Sequence, residues 1–379
     1  MLSRPVKTRT PRDLQDSMST VGLGIPTPRS MTAAAPSDVP TQGPLRDTFG
    51  RVAKDLRVSV TDRCNLRCTY CMPAEGLDWM PNDAVLSADE LIRVLTVAVR
   101  DLGIERIRFT GGEPLLRRDL EQVIGAVAAL PRRPEIAITT NGLGLTRRID
   151  GLVAAGLSRI NISLDTVDRE RFAQITRRDR LDDVLAGLAA AKRAGLDPVK
   201  VNAVLPDRAD LDAIPDLLAY CLEQGYELRI IEQMPLDADH AWQRARMVTA
   251  DEILATLRTR FDLLPDPAPR GSAPAATWIV DGHRTSRGPA KVGVIASVTR
   301  PFCGDCDRTR LTADGSLRNC LFASSETDLR AVLRTLPDDE VDAAIAALWR
   351  TDMWQKAPGH EVNAAGFVQP TRPMSAIGG

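Results

Sequence analysis

The sequence predicts an α/β protein centred on a partial (β/α)6 barrel of the TIM type. Three features predict it. Between about residues 55 and 235, short runs rich in Val and Ile alternate about six times with amphipathic helical stretches, the pattern of a parallel sheet with crossover helices. Gly103, Gly156, Gly195 and Gly225 stand at helix ends just before the next run, where a left-handed C-cap belongs. Polar residues collect where the runs end, the place where barrels do their chemistry. Six such units suit a barrel or a partly open barrel better than a two-unit mononucleotide fold.

Residues 1 to 48 are rich in Pro, Thr, Ser and Ala without periodicity and read as a disordered N-terminal extension. The barrel region spans 49–265. Its strands are LRVSVT (56–61), RIRFTG (106–111), EIAITT (135–140), RINISLD (159–165), VKVNAVL (199–205) and ELRIIEQM (227–234). Helical stretches lie between them at 88–103, 118–130, 181–195 and 211–225. The polar strand ends are Thr61-Asp62-Arg63-Cys64, Thr110-Gly111-Gly112-Glu113, Thr139-Thr140-Asn141-Gly142, Ser163-Leu164-Asp165 and Gln233-Met234. A purely structural barrel needs no such lining. A Pro-rich stretch, PDPAPRGSAPA (265–275), reads as a linker into a C-terminal region, 266–379. That region holds strand-like runs at 277–282 and 291–297, hairpin character around Asp314-Gly315, a helical segment (326–350) and an irregular tail ending in Ile377-Gly378-Gly379.

The 379 residues carry a net charge of −1, so bulk electrostatics make no case for nucleic acid or an anionic membrane. No apolar run approaches the roughly 20 residues of a membrane span, and the N-terminus lacks the apolar core of a secretory signal. The expected location is the cytoplasm.

Six of the seven cysteines fall into two groups of three. Cys64, Cys68 and Cys71 have the spacing C-x3-C-x2-C. Cys303 and Cys306 are followed after thirteen residues by Cys320. Disulfide frameworks belong to small secreted chains, so the groups point to metal or redox chemistry. Thiolates suit zinc and iron–sulfur clusters alike. A structural zinc wants four ligands, and none of the three histidines lies near Cys64–Cys71, which favours a cluster there. At the second group zinc and cluster remain open, with His283 within reach in sequence. Cys221, alone in a helical stretch, reads as a buried small apolar residue.

Arg57, Arg108, Lys200 and Arg229 sit inside strand runs among Val, Ile, Leu and Phe, and a cation in a buried strand needs an explanation. Strand alternation puts Arg106, Arg108 and Thr110 on one face, and Lys200 with Asn202 on another. Arg308 and Arg310 alternate just after Cys306. A barrel lined by several cations implies an anionic substrate, and a triphosphate fits that charge. For Arg106 and Arg229 an ion pair with a nearby carboxylate is an equal reading. His240 reads as a surface residue.

CNLRCTYC with a following strand that ends in GGEP resembles the radical S-adenosylmethionine superfamily. LRVSVTDRCNLRCTYCMP, RIRFTGGEPLLRRDL, TTNG, RINISLD, VKVNAV, the second cysteine triplet and the terminal Gly-Gly together resemble its GTP 3′,8-cyclase family, which acts in molybdenum cofactor biosynthesis. The resemblance runs from about Asp47 to Gly379. It implies two [4Fe-4S] clusters facing each other across the barrel mouth. Cys64, Cys68 and Cys71 would hold one whose open iron binds S-adenosylmethionine. Cys303, Cys306 and Cys320, in the C-terminal region, would hold one whose open iron binds the guanine of GTP. Tyr70, Gly112, Ser163 and Met234 would contact S-adenosylmethionine, with Gly111-Gly112 allowing close backbone approach and Glu113 accepting from its amino group. Arg57, Arg108, Thr139, Lys200, Arg308, Thr309 and Arg310 would bind GTP, with Arg57, Arg308 and Arg310 catalytic. Hydrogen would leave C3′ of the ribose, C3′ would bond to C8 of guanine, and the product would be 3′,8-cyclo-7,8-dihydro-GTP. The resemblance further implies an electron donor, delivery of the product to cyclic pyranopterin monophosphate synthase, a homodimer, and a Gly-Gly tail that enters the active site. Rival readings are a radical enzyme acting on a peptide, with an auxiliary cluster at the second cysteines, and a non-catalytic zinc- or cluster-binding interaction module. The basic interior and the Gly-Gly end argue against the peptide reading.

Overall fold

The computed structural model describes residues 38–378. The expected disordered extension falls mostly outside the described residues, as does Gly379. Within them Leu45 and Asp47 are already buried, and the Leu45 N–H donates to Leu102 O at 3.2 Å. The packed body therefore starts a few residues ahead of the boundary read from composition.

All six expected barrel strands form: β1 (Asp55–Ser59), β2 (Arg106–Thr110), β3 (Glu135–Thr140), β4 (Arg159–Ser163), β5 (Val199–Val204) and β6 (Glu227–Ile231). They pair in sequence order and all in parallel. The chain then adds β7 (Leu263–Pro265), β8 (Ala276–Thr285), β9 (Gly288–Ile295), β10 (Arg308–Leu311), β11 (Ser316–Arg318) and β12 (Thr327–Asp328). Among the described residues these twelve strands make one sheet, ordered β12-β11-β10-β1-β2-β3-β4-β5-β6-β9-β8-β7. The sheet does not close. The C-terminal strands extend both of its ends: β9 runs parallel to β6, and β10 runs parallel to β1.

Strand alternation sorts the side chains. Leu56, Val58, Ile107, Phe109, Ile136, Ile138, Ile160 and Ile162 are buried on the helix-facing side, a coherent apolar layer that drives folding by its removal from water. The residues between them face the concave side. The helices cover the outer surface. Ala88–Arg100 shows how the sequence starts one: the Ser87 side chain accepts from the Glu90 N–H and the Glu90 carboxylate accepts from the Ser87 N–H, a capping box. Its apolar face (Leu91, Val94, Leu95, Ala98) is buried.

Three local expectations change. The Pro-rich stretch is no free linker: β7 and β8 pair antiparallel, with Leu263 opposite Val280 and Pro265 opposite Trp278, so 266–275 is a hairpin loop. The helical segment expected over 326–350 divides into β12 and the helices Leu329–Thr335 and Asp338–Trp354. The break falls at Leu336, held extended (φ −83°, ψ 154°) as the residue before a proline prefers. Helices Ile149–Ala155, Arg169–Thr176 and Ala250–Leu257 also form, each too short for a strong periodic signal. The expected hairpin at Asp314-Gly315 forms between β10 and β11.

Candidate active site

The concave side of the sheet encloses a cavity of about 520 Å³. Arg57, Arg108, Thr139, Met234, Arg308 and Arg310 line it together with all three of Cys303, Cys306 and Cys320. The cations are set by register. Arg57 on β1 lies opposite Arg310 on β10 and opposite Arg108 on β2, so three arginines stand side by side on adjacent strands. Arg57 is partnered by Asp55, Nε to Oδ1 at 2.9 Å. Arg108 is 8% exposed, and its Nε and NH1 have no hydrogen-bond partner. Burial, and then the neighbouring Arg57, push the Arg108 guanidinium well below its ordinary value. Burial and Arg57 likewise bring Arg310 down to about 9. Buried donors are nearly always satisfied, so this group of cations is shaped for an anion.

Arg106 and Arg229 line the same cavity and are ion-paired. Arg106 pairs with Asp307, and Arg229 NH2 lies 2.9 Å from Glu227 Oε1. Lys200 stands lower, in a separate hollow at the N-terminal end of the strands that shares Glu135 and Arg159 with the main cavity. Its Nζ is 3.4 Å from Glu227 Oε1, and burial and then Arg229 lower it to about 7. Thr309 needs correction as a side-chain ligand. Arg308 and Arg310 face the cavity, so alternation turns Thr309 into the core, where it is fully buried and its Oγ1 accepts from Trp349 Nε1 at 2.9 Å.

The first cysteine group follows β1. Its loop is held from within and from outside: Arg67, part of the loop, donates through NH1 to Cys64 O and Leu66 O, both at 2.8 Å, and Arg177 NH1 reaches in to Met72 O at 2.8 Å. Cys68 and Cys71 are raised by burial first. The neighbouring Cys64 thiol adds to that rise in both. Gly111 and Gly112 are where β2 passes beneath this loop. A Cβ on Gly111 would lie 2.3 Å from Thr61 O, and one on Gly112 would lie 2.3 Å from Arg63 O. The glycines thus make room for the protein's own loop. Glu113 corrects the idea of a free acceptor. It is fully buried and already accepts from Thr140 Oγ1 (2.6 Å), Leu115 N (2.9 Å) and Asn141 N (2.7 Å), while burial raises it to about 7.

Of the residues expected at S-adenosylmethionine, Met234 alone borders the main cavity. Ser163 ends β4 opposite Asn202. Tyr70 lines a side hollow with Gln233 and Asp237, its hydroxyl donating to Asp165 Oδ2 at 2.9 Å. The tail runs from the first cysteine group to Arg310. The Ser375 N–H is directed at the Cys71 thiol, and Arg310 donates to Gly378 O.

The sequence reading did not single out Asn161, Phe302, Phe322 or His360, nor the loop Arg270–Pro274, all of which border the cavity. Asn161 was within reach, because alternation from Arg159 puts it on the concave face. The loop 270–274 was not, since Pro, Gly and Ser read alike in a linker and a cover. His240 is exposed and Cys221 fully buried, as expected.

The donor chemistry suits clusters. Each group offers three thiols, the ligand type that holds iron–sulfur centres. At the second group, burial alone would raise the Cys306 thiol, but Lys356 and Arg308 beside it hold it below its usual value, which favours the thiolate form.

This geometry meets its counterparts in known proteins. Residues 58–221 match the model of the radical SAM superfamily, and residues 226–362 match the family described as Molybdenum Cofactor Synthesis C. The solved structure of Streptococcus suis SuiB bound to S-adenosylmethionine shares the fold, with a TM-score of 0.55 over 85% of this chain and 76% of that one at 14% identity. An α/β sheet that stays open, with a cysteine loop after its first strand, is thus that of a radical SAM enzyme. The chain belongs to the GTP 3′,8-cyclase family. It is 64% identical to the GTP 3′,8-cyclase of Mycobacterium sp. (strain KMS), covering 96% of this chain and all of that one. It is 62% identical to that of Mycolicibacterium smegmatis and 60% identical to GTP 3′,8-cyclase 2 of Mycobacterium tuberculosis H37Rv, with the same coverage.

Proposed function

We propose that this chain converts GTP to 3′,8-cyclo-7,8-dihydro-GTP, the first step of molybdenum cofactor biosynthesis. The observation that carries the substrate assignment is Arg108, whose buried Nε and NH1 have no hydrogen-bond partner, in register with Arg57 and, through it, with Arg310. Three adjacent cations with one carboxylate between them leave excess positive charge in a cavity that three thiols share, and a triphosphate supplies the missing acceptors.

Cys64, Cys68 and Cys71 would hold a [4Fe-4S] cluster, which would supply the electron for cleavage of S-adenosylmethionine. Tyr70, Gly112, Ser163 and Met234 would position the cofactor there. Cys303, Cys306 and Cys320 would hold a second cluster on the opposite wall. Arg57, Arg108, Thr139 and Lys200 would bind GTP, with Arg308 and Arg310 nearest the reacting nucleoside. The tail and the 270–274 loop would keep water from the reaction. The reading extends to a cytoplasmic homodimer that takes electrons from a carrier and hands its product to cyclic pyranopterin monophosphate synthase. Among the described residues no helix is long and apolar enough to cross a membrane.

The test is anaerobic incubation with GTP, S-adenosylmethionine and dithionite, followed by mass analysis. The cyclised dihydro-GTP together with 5′-deoxyadenosine is the expected outcome. Deoxyadenosine with GTP unchanged would overturn the substrate assignment.

A further inference from the structure

Lys356 stands just past the helix Asp338–Trp354 and is 3% exposed. Among the described residues it makes no ion pair with a carboxylate. Its Nζ donates to Arg308 O at 2.6 Å and lies 3.4 Å from both Cys306 O and Cys306 Sγ. A buried ammonium without a counter-charge is costly, so its partner has to be the sulfur. The surrounding chain is fixed to keep it there. Arg51, paired with Asp47, donates to Ala357 O at 2.6 Å, Pro358 O at 3.0 Å and Cys303 O at 2.7 Å. A Cβ on Gly359 would lie 3.9 Å from Cys303 Sγ. One short segment, 356–359, therefore wraps two of the three cysteines. Lys356 does not border the cavity, so it reaches the thiolates from behind, away from substrate.

We propose that Lys356 is a positioning residue and fixed counter-charge for the second cluster, setting its reduction potential and its grip on iron through Cys306. The inference rests on the reading that Cys303, Cys306 and Cys320 hold a cluster. Hydrogen bonds and charge at the sulfurs are what tune such centres. When the cluster takes one electron from a reductant its negative charge grows by that electron, and a nearby ammonium stabilises the reduced form more than the oxidised one. Loss of the charge must then move the potential to more negative values.

The experiment uses the full chain with Cys64, Cys68 and Cys71 replaced by alanine, so that the second group alone can bind iron. Lys356 is compared with Lys356→Met, Lys356→Gln and Lys356→Arg. Readouts are iron content, the reduced-cluster EPR signal through a dithionite titration, and the rate of iron loss to a chelator. The Met and Gln variants are expected to show a more negative potential and faster iron loss, with Arg close to Lys. If the Lys356 protein itself binds no iron, the second-cluster reading fails and this inference with it. If the neutral variants hold iron with unchanged potential and chelation rate, the inference fails and the cluster reading stands. If the neutral variants load no iron, recovery of iron by the Arg variant supports the counter-charge, and an empty Arg variant overturns it.

Discussion

Arg310 donates to the backbone carbonyl of Gly378. This bond joins a buried cation of β10 to the end of a chain segment that starts far away. On the way the tail is pinned by Gln369 Nε2 to Asp237 O at 2.6 Å, by Arg372 to Asp314 Oδ2 at 2.7 Å and Glu326 Oε2 at 2.8 Å, and by Met374 N to Leu236 O at 2.9 Å. The tail thus crosses from the first cysteine group to the arginine cluster near the second.

Gly378 is the tightest point of that path. It has φ +80°, and a Cβ there would lie 2.4 Å from Thr110 Cγ2. A β-branched residue is strained at that φ and has no room. Gly378→Val is expected to displace the tail and lower cyclised product about tenfold, roughly 1.4 kcal/mol in the barrier, with iron content unchanged. Product mass analysis beside an iron assay checks it, and wild-type yield from the variant would refute a role for the tail.

Arg108 and Arg310 are expected to differ. Arg108→Ala removes charge-assisted bonds to substrate worth about 1.5–3 kcal/mol, so KM for GTP should rise roughly 10- to 100-fold. Arg310→Ala should leave deoxyadenosine formation and weaken cyclisation, about 100-fold in kcat if it acts on developing charge. Loss of all cofactor cleavage in Arg310→Ala with clusters intact would mean that its role is at the other end of the site.

The two cysteine groups separate by product. A chain with both clusters should carry about eight iron atoms. Cys64→Ala should lose about half of them and all deoxyadenosine. Cys306→Ala should lose the other half and all cyclised GTP. One zinc and no iron in the unmutated protein would overturn the enzyme reading.

Much of this was legible beforehand, for local reasons. Six parallel strands announced themselves as Val- and Ile-rich runs, and the cysteines by spacing. Arg57 and Arg108 stood out because a cation among apolar neighbours needs a partner. What stayed hidden depends on pairing over long separations. No local pattern says that β9 will lie against β6 or β10 against β1, and those two pairings bring Cys306 and Arg310 to the cavity. The commitment of Glu113 to Thr140 and Asn141, and of Lys356 to Cys306, are likewise contacts between distant segments. Thr309 is a different case: the alternation that put Arg308 and Arg310 inside also placed Thr309 outside.

Thr309 supplies a control. Thr309→Val keeps the shape but deprives Trp349 Nε1 of its acceptor, and Trp349 is fully buried. The expected cost is about 1–3 kcal/mol of stability, seen as a lower Tm, with KM for GTP unchanged. A large rise in KM with normal stability would place the Thr309 side chain at the substrate after all.

Lys200 carries the clearest pH dependence. Its folded value is lowered from 10.5 to about 7, by burial first and then by Arg229. In the unfolded chain it stays protonated up to about 10.5, so between about pH 7 and 10.5 the unfolded state binds more protons and stability rises with pH. The destabilisation from burying its charge is fully present below pH 7 and is relieved above it. Binding follows the opposite sense. The ammonium that attracts phosphate is present below pH 7 and is lost as pH rises through it, so KM for GTP should increase from pH 6.5 to 8.5. Lys200→Met should abolish that part of the profile, raise KM roughly tenfold at pH 6.5, and raise Tm at neutral pH because the desolvated ammonium is gone while Glu227 keeps Arg229 as its partner. The two profiles measured side by side isolate Lys200 from the titration of GTP itself. Identical KM profiles for the two proteins would leave Lys200 with Glu227 in the lower hollow and take it out of the substrate site.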